Sequence, residues 1–390
     1  MKIAFVGTRG GGLETYVLSA GQWLAQQGHI VHIIYVGSKP SAHEHYPLLR
    51  FHSASIPRRF SYAIRTFQTI KGLSSVIAHY ARTASLARFV RQLRATEGLD
   101  FVEIPEGFTG PSLLRELPFI VRMHGAEWVF RRYCEDGSYN RLLEPLQAQM
   151  MRAARQRHSV SHAYATFISG ALGIPSHQID LIRYPIDFGQ FPAPESSPLY
   201  PIPRHERPFH LMNVGRLERR KGVHTLVAAM PKVWQHEPET TLTFYGKDGN
   251  YGRAQIEAAI PPEVHRGRLI FEGFIPRETL VQRYYQAHVY VGPTRFESSG
   301  LHLQEGMSAG RPVIGTQMGP LPEFIRHEES GWLVPLDDAD TLAATILGAL
   351  GDADKREAYG QEGRRIAQRM FDLDMIMNQQ LALYGRDFKS

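Results

Sequence analysis

The chain has 390 residues, of which 43% are hydrophobic and 21% are charged, and its net charge is +6. This length is sufficient for two domains with separate cores, and the composition is that of an ordinary globular protein. The one cysteine, Cys134, excludes an internal disulfide framework and a cysteine-based metal cluster.

The N-terminal sequence MKIAFVGTRGGG predicts a first strand rather than a signal peptide, because glycines interrupt it before an apolar region is complete. No segment approaches the roughly 18 consecutive apolar residues that would span a bilayer. We therefore expect the protein in the cytoplasm or at the membrane face that borders it.

Apolar strand-like runs alternate with amphipathic helical stretches along most of the chain, a pattern typical of parallel α/β sheets. The predicted helices include Leu13–Gln27, Val223–His236, Glu278–Ala287 and Leu301–Ala309. The strands predicted in the first half are Lys2–Thr8, Ile30–Val36, Leu49–Ser53, Phe101–Ile104, Ile120–His124 and Ala165–Ile168. Those predicted in the second half are Phe209–Val214, Leu242–Gly246, Leu269–Glu272, Val289–Gly292, Val313–Thr316 and Gly331–Val334.

Residues 191–208 contain six prolines and few apolar side chains, so they can sustain neither a helix nor a central strand. We predict that they link a first domain, residues 1–190, to a second domain, residues 209–372. The expected fold class is α/β, with two Rossmann-like doubly wound domains that face each other across a cleft. Because ligands of such sheets bind beyond the carboxyl ends of strands, the loops after strands should carry the chemistry.

Positive charge is concentrated in the first half of the chain. Between His45 and Thr96 there is no acidic residue, and nine arginines and lysines occur there. Arg152, Arg155 and Arg157 form a second basic group. Solvated surfaces normally mix both signs of charge, so this asymmetry predicts an anionic neighbour, either an anionic membrane surface or a lipid-linked diphosphate acceptor. An idle basic surface is the alternative, and no nucleic-acid-binding motif is present.

The segment PTRFESSGLHLQEGMSAGRPV, residues 293–313, contains two glutamates, Glu297 and Glu305, separated by seven residues. The segment predicts a carboxylate on a loop, then a helix N-terminus near Gly300 and Leu301, and then a second carboxylate one turn inside the helix. Free N–H groups at the N-terminus bind anions, and a carboxylate accepts hydrogen bonds from sugar hydroxyls. The pattern therefore favours a ligand that is part diphosphate and part polyol, such as a nucleotide-sugar.

A basic loop, residues 215–222, follows the first strand of the second half and carries Arg216 and Lys221. An arginine can bind a phosphate through two parallel hydrogen bonds, and a lysine adds a compact positive charge. Two such cations would stabilise the charge that develops on a leaving nucleoside diphosphate. A basic loop without a catalytic role would explain Arg219 and Arg220 equally well, and these two are left out of the predicted site.

The two segments together resemble the signature of retaining glycosyltransferases of family 4, which have the two-domain GT-B architecture. The resemblance rests on the two glutamates followed by Ala309-Gly310-Arg311-Pro312-Val313, and on Gly215-Arg216-Leu217 followed by Lys221-Gly222. It implies that the second domain binds the donor and the first the acceptor. It also implies that the final stretch, residues 373–390, packs back on the first domain. We further expect Glu305 to hold the nucleotide ribose and Glu297 the transferred sugar.

In the first half, Gly10, Gly11 and Gly12 follow the first strand and allow a ligand to approach the backbone closely. Thr15 stands where a dinucleotide fingerprint needs its third glycine, and the second strand lacks the acidic residue that would hold a ribose, so a nicotinamide dehydrogenase is disfavoured. A P-loop is absent. In the resemblance, Gly11 and Gly12 close over the donor diphosphate.

Other candidate residues come from the same resemblance. Arg122-Met123-His124-Gly125 is similar to the His-Gly element of the family, which places His124 beside the donor sugar. Phe274 and Ile275 match the segment that reads the nucleobase, and Gly246 matches the turn where base or ribose packs. At Arg183-Tyr184-Pro185 the chain departs from the usual Pro-Asn-Gly, and no role is assigned to Tyr184.

We therefore predict a retaining glycosyltransferase that moves a sugar from a nucleoside-diphosphate sugar, with UDP expected from family frequency, to an acceptor hydroxyl. No metal or other cofactor is expected, because the pairs Asp338/Asp340 and Asp372/Asp374 stand at predicted helix starts, where aspartate caps the helix. Two alternatives remain: a GT-B epimerase or phosphorylase, and a carbohydrate-binding protein without catalytic activity. The expected partners are the donor, a carbohydrate or lipid-linked acceptor, and an anionic membrane surface.

Overall fold

The computed structural model describes residues 1–7, 11–37, 45–57, 73–110, 114, 117–126, 128–129, 142–193 and 207–388. The chain divides into two compact units. The first unit contains Met1–Pro185 and Leu373–Ser390, and the second contains Ile186–Asp372. Cys134, Gly10 and the basic residues Arg58, Arg59, Arg65 and Lys71 lie outside the described residues.

The first unit is built on a parallel sheet of seven strands in the order β3-β2-β1-β4-β5-β6-β7. The strands β1 to β7 are Lys2–Gly7, Ile30–Val36, Arg50–Ala54, Phe101–Pro105, Phe119–Met123, Gln156–Ser159 and Asp180–Leu181. The helices α1 to α4 are Gly12–Gln26, Leu73–Glu97, Leu143–Ala153 and His162–Leu172, and a 3₁₀ turn spans Ser176–Gln178. The alternation of strands and helices that the sequence predicted is confirmed.

The predicted strand Ala165–Ile168 is wrong, because these residues lie in the middle of α4. The Ser161 side chain accepts a hydrogen bond from the backbone N–H of Tyr164, which caps the start of the helix, and Gly173 ends it in the left-handed conformation. The strand at this point of the sheet is β6, whose sequence Gln-Arg-His-Ser has no apolar residue.

The C-terminal helix of the first unit, α12 (Leu373–Asp387), is fixed by a buried polar cluster. Glu103, on β4, accepts hydrogen bonds from Tyr16 and Tyr384, each at 2.6 Å, and lies 3.2 Å from the Arg122 guanidinium. Arg122 in turn donates to Gln380 of α12 at 2.6 Å. Because a buried charge is tolerated only when it is paired and hydrogen-bonded, this cluster ties α12 to the sheet.

The second unit contains a parallel sheet of six strands in the order β10-β9-β8-β11-β12-β13. The strands β8 to β13 are His210–Val214, Thr241–Tyr245, Leu269–Gly273, Val289–Val291, Val313–Thr316 and Trp332–Val334. The helices α5 to α11 are Val223–His236, Arg253–Ala259, Pro262–His265, Arg277–Gln286, Leu301–Ser308, Ala339–Gly351 and Ala353–Phe371. Two 3₁₀ turns span Arg219–Lys221 and Leu321–Glu323. Two apolar clusters form the core of this unit, and the predicted fold class of two doubly wound α/β units is confirmed.

The boundary between the units lies at Pro185, before the predicted domain limit at residue 190. The reason is that Ile186 and Phe191 are buried in a core cluster of the second unit, where Arg364 donates to the Phe191 carbonyl at 2.7 Å. Most of the predicted linker, residues 194–206, lies outside the described residues. Within the described part of the chain, no helix is long and apolar enough to cross a membrane.

Candidate active site

In the second unit, the direction in which strands are added to the sheet reverses at β8. Strands β9 and β10 lie on one side of β8, and β11 to β13 lie on the other. Such a reversal leaves a crevice beyond the carboxyl ends of the two central strands, where α/β sheets bind ligands. The loop after β8 carries Lys221 and the loop after β11 carries Glu297, so both predicted residues stand at this crevice.

Two glycines allow the loops around the crevice to approach one another. Gly246, directly after β9, has φ 149°, and a Cβ atom there would lie 1.9 Å from the Gly215 carbonyl oxygen. Gly222 has φ 67°, and its Cβ would lie 1.7 Å from the Pro293 carbonyl oxygen. No L side chain can occupy either position without moving the backbone. Gly222 thus places the loop of Lys221 against the loop of Glu297.

Lys221 and Glu297 form a buried ion pair. Lys221 Nζ lies 2.5 Å from Glu297 Oε1, and the two side chains are only 14% and 9% exposed. The same oxygen accepts a hydrogen bond from Thr294 at 3.1 Å, and it lies 3.2 Å from His302 Nε2 and 3.7 Å from the Arg220 guanidinium. Among the described residues, no hydrogen bond to the other carboxylate oxygen, Oε2, is found. One oxygen of Glu297 is therefore held by the protein, and the other can accept a bond from a ligand.

The surroundings of Glu297 keep it charged. Burial acts to raise the pKa of this carboxyl, but the Lys221 ammonium, with His302, holds the pKa well below its ordinary value. Burial and the nearby Lys221 lower the pKa of His302, so its imidazole is neutral at pH 7. His302 Nδ1 lies 2.7 Å from the Tyr290 hydroxyl. With Tyr290 donating to Nδ1, the imidazole carries its proton on Nε2 and donates to Glu297.

Glu305 lies on α9, one turn inside the helix as predicted, and is 4% exposed. Its Oε1 forms an ion pair with Arg277, from the first turn of α8, and its Oε2 accepts a hydrogen bond from Tyr284 at 3.0 Å. Each carboxylate oxygen has two acceptor positions, so both can still accept a bond from a ligand hydroxyl. Arg277 and Tyr284 hold this carboxylate in one orientation.

Between the two glutamates, helix α9 begins at Leu301. Gly300 precedes it in the left-handed conformation, with φ 78°, and no side-chain cap is present at this terminus. The first N–H groups of a helix have no partner inside the helix and carry partial positive charge. The helix therefore begins between Glu297 and Glu305, where the sequence predicted it, and its first N–H groups are the ones that the predicted anion site would use.

The cations of the loop after β8 have separate placements. Arg216 is exposed and, in the described part of the structure, is not joined to the Lys221–Glu297 pair. Arg219 lies over the Tyr251 ring at 5.0 Å. Arg220, which the sequence interpretation left out, forms an ion pair with Glu218 at 2.6 Å and lies beside Glu297. The structure therefore adds Arg220 to the group around Glu297 and leaves Arg216 at the solvent edge.

Phe274 and Ile275 follow β10, the outermost strand on the β9 side of the sheet. Phe274 is 66% exposed, and Lys247 Nζ lies 5.1 Å from the centre of its ring. The exposed face of this ring can stack on a flat ligand such as a nucleobase.

In the first unit, the predicted residues also follow strands. Gly11, with φ 81°, precedes α1, which begins at Gly12, and no side chain caps this terminus. Glu14, in the first turn of α1, accepts a hydrogen bond from the Tyr35 hydroxyl at 3.0 Å.

His124 directly follows β5, and its Nδ1 forms a short hydrogen bond with the Tyr184 hydroxyl. Burial, together with Arg122, lowers the pKa of His124 well below its ordinary value. Glu106 follows the neighbouring strand β4 and accepts a hydrogen bond from the backbone N–H of Gly125. Tyr184 and Glu106 are thus contacts of the predicted site that the sequence interpretation missed.

The sequence contained only weak indications of the residues that were missed. Glu106 stands directly after a strand, the position where site residues were expected, and His302 lies inside the segment between the two glutamates. Tyr184 was visible only as a departure from the family pattern. Among the described residues, no three His, Cys, Asp or Glu side chains are grouped so that they could hold a metal ion. Asp338 caps helix α10, which confirms the capping prediction for that residue.

Two sequence families match the chain. The family described as "Glycosyl transferases group 1" matches residues 201–366, and the "Glycosyl transferase 4-like domain" matches residues 11–185. The chain belongs to the group 1 glycosyltransferases, of the family 4 type. The family predicted from the sequence is therefore confirmed, and the two matches correspond closely to the two structural units.

Known group 1 glycosyltransferases and related structures resemble the chain over much of its length. It is 25% identical over 269 residues to a glycogen synthase of Mycobacterium tuberculosis, covering 69% of this chain and 63% of that protein. The sucrose-phosphate synthase of Thermosynechococcus elongatus has the same fold, with a TM-score of 0.80, 24% identity and coverage of 99% and 98% of the two chains. Anabaena Alr3699/HepE, solved with UDP and glucose, gives a TM-score of 0.75 at 17% identity, with coverage of 99% and 100%. The chain thus spans less than two thirds of the glycogen synthase.

Proposed function

We propose that the chain transfers a sugar from a UDP-sugar to an acceptor hydroxyl, with retention of configuration at the anomeric carbon and without a metal ion. The observation that carries this proposal is the buried Lys221–Glu297 pair beside the N-terminus of α9 at the switch point of the sheet. It combines cations, helix N–H groups and a carboxylate oxygen in one crevice. A diphosphate joined to a sugar needs these three kinds of group. The UDP and glucose bound to Alr3699/HepE support the choice of donor.

In this proposal, the second unit stabilises the leaving diphosphate. Lys221 uses one of its three N–H donors on Glu297, which leaves others for a phosphate oxygen. Arg216, at the solvent edge, reaches the diphosphate from outside. The N–H groups at Gly300 and Leu301 supply the uncharged part of the site. Groups that are fixed before the reaction stabilise the developing charge at no reorganisation cost, which is usually the largest contribution to catalysis.

The two carboxylates bind different parts of the donor substrate. Oε2 of Glu297 accepts a hydrogen bond from a hydroxyl of the transferred sugar, since Oε1 is held by Lys221 and its neighbours. Glu305, oriented by Arg277 and Tyr284, accepts bonds from the ribose hydroxyls. Phe274 and Ile275 contact the base, and Gly246 keeps the neighbouring turn close to the ribose.

The first unit supplies the remaining groups. Gly11 and Gly12 contact the diphosphate through the backbone, and His124 donates a hydrogen bond to a hydroxyl near the reacting carbon. The acceptor is a carbohydrate or a lipid-linked carbohydrate. The basic residues of the first unit, of which Arg88, Arg91 and Arg94 are exposed on α2, hold the enzyme at an anionic membrane surface that presents such an acceptor.

A ligand and product assay tests this function. The melting temperature is measured with UDP, GDP and ADP in the presence of EDTA, and a nucleotide at 100 times its dissociation constant stabilises the protein by about 2.7 kcal/mol. UDP is expected to give the largest shift. Incubation with UDP-sugars and a panel of acceptors is then followed by NMR of the anomeric proton, which should keep the donor configuration.

Three results would contradict the proposal: no nucleotide stabilises the protein, binding disappears in EDTA, or the product has inverted configuration. Release of a sugar phosphate that depends on inorganic phosphate would instead indicate a phosphorylase. Exposed Arg253, which pairs with Glu257 on α6, provides a control. Arg253→Ala should bind UDP as the wild type does.

A further inference from the structure

The contacts of His124 in the first unit indicate a role for Tyr184 that the family pattern does not supply. The Tyr184 hydroxyl forms a short hydrogen bond with His124 Nδ1, and the two rings stack with centroids 5.4 Å apart and planes inclined by 23°. Tyr184 is only 6% exposed. The tyrosine therefore contacts both the face and one nitrogen of the imidazole.

The backbone that carries Tyr184 is fixed to β5, the strand that directly precedes His124. Arg122, on β5, donates a hydrogen bond from its buried guanidinium to the Ile182 carbonyl at 2.9 Å. The Ile182 N–H donates to the Ser159 carbonyl of β6 at 2.8 Å. Because these bonds are buried, the segment that ends at Tyr184 has little freedom relative to β5.

A second contact fixes the backbone of His124. Glu106 is 2% exposed and accepts a hydrogen bond from the N–H of Gly125. The Tyr164 hydroxyl lies 3.1 Å from each of its two carboxyl oxygens. Gly125 has φ 113°, a conformation that favours glycine. The imidazole is thus held by Tyr184 at its ring and by Glu106 at the adjoining backbone.

The charge state of the imidazole follows from its surroundings. Burial, and then Arg122, lower the pKa of His124 well below the ordinary value, so the ring is neutral at pH 7. A neutral imidazole carries one proton, on either Nδ1 or Nε2, and the partner of one nitrogen decides which. A tyrosine hydroxyl holds its own proton at this pH and can donate it in a hydrogen bond to Nδ1.

We propose that Tyr184 is a positioning residue that donates to His124 Nδ1 and thereby keeps the imidazole proton on Nε2, where it donates to a substrate hydroxyl. The donation from Nε2 to a substrate hydroxyl rests on the proposed glycosyl transfer. The control of the His124 tautomer by Tyr184 does not. With the wrong tautomer, Nε2 would accept a hydrogen bond instead, and the hydroxyl would lose a donor at that point. In sequence, Tyr184 stands where the family has Pro-Asn-Gly, so the arrangement is a feature of this chain.

The tautomer can be measured without any substrate. In protein labelled with ¹⁵N-histidine, two-bond ¹H–¹⁵N correlations distinguish a protonated Nδ1 from a protonated Nε2. His124→Gln identifies the signals of His124 among the 18 histidines. We expect Nε2–H in the wild type and a mixture of tautomers in Tyr184→Phe. Tyr285→Phe, which removes a hydroxyl bonded to the Pro192 carbonyl at 2.7 Å, should leave these signals unchanged. A wild-type signal from protonated Nδ1 would overturn the inference.

Kinetics test the functional half. Tyr184→Phe keeps the stacked ring, so we expect kcat to fall about tenfold, the scale of one misdirected hydrogen bond, with the KM for the donor unchanged. His124→Gln, which retains an N–H donor, should lose less activity than His124→Ala. In the His124→Gln background, Tyr184→Phe should have no further effect. An equal loss of kcat in both backgrounds would show that Tyr184 acts independently of His124 and would overturn its role in catalysis. If the chain transfers no sugar, the proposed function fails, and the NMR result alone decides whether Tyr184 sets the tautomer.

Discussion

The two units have sheets of similar topology but place different chemistry at the carboxyl ends of their strands. In the second unit, these ends carry charged pairs, Lys221 with Glu297 and Arg277 with Glu305. In the first unit, they carry His124, whose low pKa keeps it neutral, and Glu106, whose pKa burial raises to about 8. A buried ion pair of the first unit, Arg122 with Glu103, lies within the sheet, and Arg122 also binds the C-terminal helix.

Under the proposed function, this difference would let one sheet topology serve two halves of a reaction. A leaving diphosphate needs fixed cations, and Lys221 and Arg277 of the second unit are each paired with a carboxylate. A hydroxyl acceptor needs neutral donors and acceptors, because a fixed charge would hold water at the site. Variants of the two units test whether charge in the second unit, and neutrality in the first, are required.

The largest effect is expected on removing Lys221. Lys221→Ala should lower turnover by roughly 3 kcal/mol, the scale of a lost transition-state donor, and should change the KM for the donor less. It should also destabilise the fold by about 3 kcal/mol, because the buried Glu297 carboxylate loses its nearest cation and is left with the more distant Arg220. Unchanged turnover in a steady-state assay would refute the catalytic role.

Two controls separate stability from catalysis. The double variant Lys221→Met, Glu297→Gln removes both charges, so it should recover much of the stability measured by urea unfolding while activity remains low. Arg216→Ala should lower turnover without a loss of stability, because Arg216 is exposed. If stability and activity recovered together in the double variant, Lys221 would be a structural residue only.

A somewhat smaller effect tests the neutrality of the first unit. Burial raises the pKa of Glu106 from an ordinary 4.5 to about 8, so the folded chain holds a proton there that the unfolded chain releases. Between these two pKa values the contribution of Glu106 to stability falls as pH rises, and it is lost above pH 8. Glu106→Gln should remove this dependence, so its stability relative to the wild type should increase by about 2 kcal/mol from pH 6 to pH 8.

Urea unfolding at the two pH values measures this difference. Glu239→Gln, at an exposed position, should behave as the wild type does. A Glu106→Gln variant that shows the wild-type dependence on pH would mean that Glu106 is ionised in the folded protein, and that the carboxyl ends of the first unit's strands carry a buried charge there.

The sequence predicted the second unit better than the first, for a physical reason. Its strands are short apolar runs, and its site residues are charged and separated by fixed intervals, so both can be read from local sequence. The strand β6 of the first unit has no apolar residue, because Gln156 and His158 are buried in polar contacts. Gln156 donates to the Leu383 carbonyl of α12, more than two hundred residues away in the chain, and no local pattern contains that information.

The same reason explains which site residues were missed. Lys221, Glu297 and Glu305 were predicted from their charge and spacing, but the hydrogen bonds that orient them were not predicted. Arg277 and Tyr284 reach Glu305 from a helix that begins after a different strand. Tyr184 reaches His124 across sixty positions of the chain. Such contacts depend on how strands are ordered in the sheet, which the sequence predicted only as a class of fold.

A further prediction compares the two carboxylates of the second unit by isothermal titration calorimetry with free UDP. Glu305→Ala should weaken binding about tenfold, or about 1.4 kcal/mol, because the ribose hydroxyls lose their acceptor. Glu297→Ala should change the affinity less and reduce turnover more, because free UDP lacks the transferred sugar. The reverse order of affinities would contradict the assignment of sugar and ribose.

The smallest effect per residue is expected at the basic surface of the first unit. Each basic residue near an anionic membrane contributes about 1 kcal/mol, and this attraction is screened beyond about 8 Å at physiological salt. Binding to phosphatidylglycerol vesicles should therefore be strong at low salt, fall steeply as salt rises, and be absent for phosphatidylcholine vesicles. Reversing Arg88 and Arg91, both exposed on α2, should weaken this binding without changing the affinity for UDP.

Charge reversal in the second unit provides the matched control. Lys355→Glu with Arg369→Glu changes the net charge by the same amount at positions whose side chains are 61% and 54% exposed. If membrane docking belongs to the first unit, this control should co-sediment with vesicles more strongly than Arg88→Glu with Arg91→Glu does. The residues Arg58, Arg59 and Arg65 can be reversed next, since they belong to the same acid-free stretch of sequence. Equal loss in the two variants would show that only net charge matters. Absence of binding at low salt, with activity on a neutral acceptor in solution, would leave the basic stretch as an idle surface.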